Sequence, residues 1–153
     1  MMKRLKMNAG SALAVFLLFS VMFSACKGTQ YTPANLPEKQ LLFGEGGGFT
    51  GDFTEYLLLE NGQLFVQKRF NGEQMEIAST KKSKAKAMFK QAAALLTDSA
   101  AINYPGNMYY FLQLKDNGSD VRLTWGAPGY EVNEPVKLLY DQLKTLTPAA
   151  ESK

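Results

Sequence analysis

The chain has no histidine and one cysteine. Without imidazole there is no Ser-His-Asp or Cys-His catalysis, no histidine-based zinc site and no imidazole general base near neutral pH. With one cysteine there is no internal disulfide, so stability has to come from packing. Net charge is scarce as well. Of the 17 basic residues, Lys3, Arg4 and Lys6 fall in residues 1–25, and none of the 14 acidic residues do, which leaves 14 of each sign beyond that point. A balanced chain lacks the cationic footprint on which nucleic-acid binding depends.

The first residues follow the order of an export signal. Lys3, Arg4 and Lys6 form a basic start, Ala9 to Ala25 carries no charge, and Phe23-Ser24-Ala25 precedes Cys26. Small residues before a cut suit a signal peptidase. The uncharged run is near the lower limit for a membrane-spanning helix. The position of the only cysteine decides for cleavage before Cys26. This stretch resembles the bacterial lipobox: Ser24, Ala25 and Cys26 match, and Phe23 stands where leucine is usual. The resemblance implies a diacylglyceryl thioether on Cys26, with fatty acyl chains such as palmitate, often joined by a third, amide-linked chain. Two or more chains are what stable anchoring requires. Residue 27 is Lys rather than the Asp of inner-membrane retention, and no acidic cluster follows. The expected location is the periplasmic side of the outer membrane. With its thiol acylated, Cys26 is also lost as a nucleophile or metal ligand.

Residues 26–39 read as lipidated cysteine and tether, residues 40–147 as a single domain, and residues 148–153 as a tail. Three Asn-Gly pairs, at 61–62, 71–72 and 117–118, punctuate strand-like runs. Asn-Gly tolerates the positive φ that a type I′ hairpin turn needs at both central residues. The expected strands are Gln40–Gly44, Phe53–Glu60, Gln63–Phe70, Glu73–Ser79, Met108–Lys115 and Asp120–Trp125. Apolar residues at helical spacing predict a helix from Lys81 to Thr97, capped by Ser79 or Thr80. Val136, Leu139, Leu143 and Leu146 predict a second, capped by Asn133 with Pro135 in its first turn. The order implies an α+β domain, a mainly antiparallel sheet of five to six strands with two helices on one face.

Gly46-Gly47-Gly48-Phe49-Thr50-Gly51 fits G-x-G-x-x-G in form. A strand follows it instead of the helix a dinucleotide site needs, so nucleotide binding is not expected. Two readings stand: a turn whose glycines supply positive φ, or a loop whose Phe49 inserts into a partner's cleft. Lys82, Lys86 and Lys90, with Lys81 and Lys84, form a stripe along the first helix. Such a stripe is a solvated face or, on a tethered protein, a face towards anionic head groups. Aromatics gather at Tyr104, Tyr109, Tyr110, Phe111, Trp125 and Tyr130, as core packing or, on an uncovered strand face, as a recognition surface. The candidate partner-binding residues are Gly47, Gly48, Phe49, Tyr109 and Trp125. No catalytic residue, metal ligand or cofactor is assigned, apart from the lipid on Cys26.

The Gly47-Gly48-Phe49-Thr50-Gly51 segment, the mid-chain helix, the hairpin at 108–125 and the proline-containing last helix resemble emfourin-like proteins. These are small bacterial inhibitors of thermolysin-type metalloproteases. That resemblance implies a protein-binding domain, and the lipobox adds the membrane anchor, which departs from the family pattern as do the strands from Gln63 to Ser79; the expected partner is an envelope protein or protease. Two other functions are carried forward: an accessory subunit of an envelope complex, and a carboxylate-dependent hydrolase. The anchor is testable at once. Radioactive palmitate should label the wild-type chain in cells and fail to label Cys26→Ala, and label persisting on the variant would remove the anchor.

Overall fold

The computed structural model describes residues 28–68, 72–96 and 102–148. The chain divides into Met1–Gln30 and Tyr31–Lys153, and every element below belongs to the second unit. The signal segment, Cys26, Asn71 of the second Asn-Gly pair and residues 149–153 of the expected tail lie outside the described residues.

The elements are β1 (Gln40–Gly47), β2 (Asp52–Leu58), β3 (Gln63–Lys68), β4 (Gln74–Ser79), α1 (Lys82–Leu96), β5 (Met108–Asp116), β6 (Ser119–Trp125) and α2 (Glu134–Lys144). The strands make one sheet in the order β4-β3-β2-β1-β5-β6, with every neighbouring pair antiparallel. Both helices pack on one face, so the expected α+β architecture is the one observed. Among the described residues no helix is long and apolar enough to cross a membrane.

Period-two alternation sorts each strand between two cores. On the helix face, Leu41, Phe43, Leu58, Leu64, Leu112, Leu123 and Trp125 meet the apolar stripes of α1 and α2. The α2 stripe is anchored by Tyr140. Its hydroxyl donates to the Gly44 carbonyl at 3.1 Å, and its ring meets Phe43 and Trp125 edge-on. Burial pushes the Tyr140 phenol above its ordinary range, so it stays a neutral donor. The helix begins as the sequence predicts: Asn133 accepts from Val136 N at 3.2 Å, and Pro135 sits in the first turn. For α1 the first helical bond is Ala85 N to Lys81 O, which puts Lys81 at the cap position instead of Ser79 or Thr80.

The second face carries a smaller core of Leu42, Phe53, Leu57, Leu59, Phe65 and Phe111, with Tyr31, Leu36 and Tyr109 against it. No helix covers it. Part of the segment expected as a tether does so instead. Gln63, 3 % exposed, accepts from Tyr31 N at 2.8 Å and donates to Tyr31 O at 3.1 Å. The folded unit therefore starts at Tyr31, because uncovered leucines at this end of the sheet need the cover.

The turns differ in kind. Asn117 and Gly118 both have positive φ, 46° and 84°, as a type I′ turn demands. At the first pair only Gly62 does, with φ 100°. Leu59 N donates to Gln63 O and Gly62 N to Leu59 O, closing a three-residue loop over Glu60-Asn61-Gly62. That is a type I turn followed by a glycine bulge. The Asn61 side chain accepts from Gln63 N at 2.9 Å, a role open to it once it is freed from the left-handed region.

The first strand also runs three residues beyond Gly44. Two of its glycines face the second core and seat aromatic rings. A β-carbon at Gly44 would lie 2.9 Å from Phe111 Cζ and would overlap the Thr54 carbonyl. One at Gly46 would lie 2.5 Å from the Tyr109 hydroxyl. Phe111 in turn stacks on Phe53, with ring centroids 5.9 Å apart and planes 3° from parallel. Overpacking of this kind costs about 1–3 kcal/mol. Gly44→Ala should accordingly lower the urea midpoint of a soluble form (residues 27–153) without changing the denaturant slope. An unchanged midpoint would refute this account of the seat.

Candidate partner-binding loop

The turn between β1 and β2 contains the glycine-rich motif. Gly47 pairs with Asp52 at the end of the ladder, and Gly48-Phe49-Thr50-Gly51 forms the turn. Gly47, Gly48 and Gly51 have φ of 102°, 78° and 62°. These values lie in the left-handed half of backbone space, where a side chain is strained. The base of the turn is fixed. Gly48 N donates to Asn107 O at 2.7 Å and Gly51 N to Gly48 O at 3.1 Å. Thr50 Oγ1 donates to Asp52 Oδ2 at 2.7 Å. A β-carbon at Gly47 would collide with Asn107 O, so this glycine also sets how closely the chain before β5 approaches.

At the tip Phe49 is 106 % exposed, the extreme value among the large hydrophobic residues of the described chain. It has company. Met108 is exposed, and its sulfur lies 3.2 Å from where a Gly48 β-carbon would sit. Tyr104, also exposed, stacks on Tyr130 with centroids 4.4 Å apart. The register places Met108 opposite Gly47 and Tyr110 opposite Trp125. All these side chains therefore ring the end of the sheet that carries the loop.

The other two sequence candidates separate. Tyr109 is half-buried, lying over Gly46 on the second face beneath the loop. Trp125 is 8 % exposed and points to the helix face, 5.3 Å from the Tyr140 ring. It is a core residue at the same end of the sheet. The loop thus brings Gly47, Gly48, Phe49 and Tyr109 together and leaves Trp125 behind the sheet. Met108 was not singled out by the sequence. Its signal was positional: it begins the strand that pairs with the glycine end of β1.

The uncovered face adds a polar pattern beside Phe111. The Arg122 guanidinium lies 3.8 Å from the Phe111 ring centroid and donates to Gln113 Oε1 at 3.2 Å. Gln113 Nε2 donates to Asp120 Oδ1 at 2.6 Å. Arg122 therefore covers the ring that the glycines seat, which helps bury Phe111 fully on the face opposite the two described helices. Two grooves lie elsewhere. One of about 310 Å³ runs between the helices past Leu95, Pro135, Leu138 and Leu139. The other, of about 380 Å³, is lined by Ala93, Leu96, Leu114, Asp116, Asn117, Ser119 and Val121. Neither brings two carboxylates together. Among the described residues no three histidine, cysteine or acidic side chains cluster as a metal site. In comparisons with known proteins, no family model and no curated protein matches the chain.

Glu55 stands across Gly44 from Phe111, on the same face. Desolvation raises its pKa, and Arg122 and Lys115 offset only part of the effect. The folded state therefore binds this proton more tightly than the unfolded chain does. Ionised Glu55 then detracts from stability above the carboxylate range, and the penalty disappears as pH falls below it. Glu55→Gln should melt above the parent at neutral pH and level with it below about pH 4. A gap of the same size at both pH values would show that the charge is not the cause.

Proposed function

We propose that this protein is a lipid-anchored envelope protein whose folded domain is a non-catalytic protein-binding module, with the β1–β2 loop as the element that enters a partner. The observation that carries the reading is the complete exposure of Phe49 on a turn whose base is fixed. Burying an aromatic side chain of this size on a partner is worth about 1.5–3 kcal/mol. A loop already held in shape loses little freedom on binding. Met108 and Tyr104 extend the contact area beside the tip.

The concrete form proposed is inhibition of a thermolysin-type metalloprotease. The support is the resemblance of the Gly47–Gly51 segment to emfourin-like proteins, with the segment here at the projecting end of a hairpin. In this reading the loop occupies the protease cleft and Cys26 holds the inhibitor at the periplasmic face of the outer membrane.

The test is inhibition of envelope metalloproteases by the soluble form. Phe49→Ala should keep its stability within about 0.5 kcal/mol of the parent, as exposed substitutions do. It should weaken inhibition by about tenfold or more, as loss of a central aromatic anchor does. No inhibition by the parent would remove the protease reading. Partner binding that is indifferent to Phe49→Ala would remove the loop altogether.

A further inference from the structure

We propose that Lys82, Lys86 and Lys90 of α1 form a surface that faces the anionic phospholipid head groups of the membrane holding the protein. This rests on the lipid-anchor part of the proposed function and is independent of the loop.

The register of the sheet gives its two ends different roles. β1 begins at Gln40 and ends at Gly47, where the β1–β2 loop projects. The β2–β3 and β5–β6 turns lie at the opposite end, beside Gln40 and its partner Lys115. The chain enters the fold at that opposite end, because Tyr31 is held from both sides by Gln63. Only four residues separate Cys26 from Tyr31, five steps of chain that reach at most ~17 Å. A lipid on Cys26 therefore keeps the entry end close to the bilayer. The eight residues of β1 separate the Phe49 loop from that end by up to about 26 Å.

The first helix lies along the entry end. It follows Ser79, which pairs with Gln63, and Thr80 N donates to Gly62 O. Near its other terminus Ala93 and Leu96 border the β5–β6 turn at Asp116, Asn117 and Ser119. The helix thus crosses the strands from β4 to β6 without leaving this end. Its Ala85, Met88, Phe89, Ala92 and Leu96 face the sheet, and Gln91, Ala94 and Leu95 face α2. At 100° per residue, Lys82 and Lys86 fall on the side of α1 turned away from α2, and Lys90 falls next to them on the outer face opposite the sheet. That side looks out of the entry end, and all three lysines are exposed.

Among the described residues no acid pairs with these lysines. No acid lies in the first turn of α1, and lysines there oppose the helix dipole. Among the described residues the ion pairs are made by Lys39 and Lys144. The entry-end acids Glu60 and Asp116 are both engaged by Lys39. Asp120 is tied to Gln113 on the uncovered face, and Glu38 is exposed at the entry itself. The stripe is thus a free cationic row, on the side that a short lipid tether holds against a negatively charged surface. Each lysine near such a surface is worth about a fivefold gain in association.

The test uses the full lipidated protein reconstituted in vesicles of phosphatidylethanolamine and phosphatidylglycerol, or of phosphatidylcholine alone. An amine-reactive reagent is applied and each lysine's modification rate is read by mass spectrometry. In the anionic vesicles Lys82, Lys86 and Lys90 should react about threefold or more slowly than in the neutral ones. Lys137 on α2 should be unchanged. About 1 M salt, where the screening length is about 3 Å, should restore the rates. Equal protection of Lys86 and Lys137, or no dependence on lipid charge, in a chain that floats with the vesicles would overturn the surface and leave the anchor standing. A chain that carries no lipid would overturn both.

Discussion

The approach of two aromatic rings to a bare strand backbone is the constraint around which this domain is arranged. Among the described residues the helices cover one face of the sheet, and the other is closed by its own side chains and the segment around Tyr31 and Leu36. Gly44 and Gly46 leave the space in which Phe111 and Tyr109 lie down across β1. Phe53 and Arg122 then close over Phe111. The same strand gives its Gly44 carbonyl to Tyr140 on the far side, so one residue takes part in packing on both faces of the sheet. Glycine in a strand is ordinarily a weakness, because it loses more entropy on folding and packs nothing. Here the missing side chain is replaced by a ring from the neighbouring strand, and β1 stays regular as far as the loop it presents.

Much of this was legible in the sequence. Alternation in Asp120–Trp125 gave the strand and its inward face, and the helical spacing of Val136, Leu139 and Leu143 gave α2 and its buried side. Local patterns of this kind are legible because burial enforces them residue by residue. The failures have a common physical origin: each depended on a partner distant in sequence. Gly44 looked like a strand end because the rings that fill its space lie more than sixty residues away. Tyr31 looked like tether because Gln63, which holds it, lies beyond two strands. The Asn61-Gly62 pair was read as a two-residue turn, whereas the ladder closes on Leu59 and Gln63 and leaves three residues between them.

The candidate site divides in the same way. The glycine motif announced an unusual backbone, and the positive φ angles of Gly47, Gly48 and Gly51 supply it. The strand after it already argued against a phosphate cradle. That Trp125 faces the helices while Tyr109 faces outward is a matter of register, which a one-residue slip would reverse. Aromatic clustering in sequence therefore could not tell core from surface. Pairing of β5 with both β1 and β6 fixes the answer.

The bonds between Tyr31 and Gln63 have a mechanical side. The chain runs from Tyr31 through β1 directly into the turn that carries Phe49. On the proposed reading, with a partner on that turn and a lipid on Cys26, tension between the two would follow the covalent backbone of a single strand. The five other strands and both helices lie beside this line of load rather than on it. A pull would strip Tyr31 and Leu36 from the sheet first, lengthening the leash by several residues. It would reach the strand ladders only afterwards, so the domain has a stretch of slack built in ahead of its core.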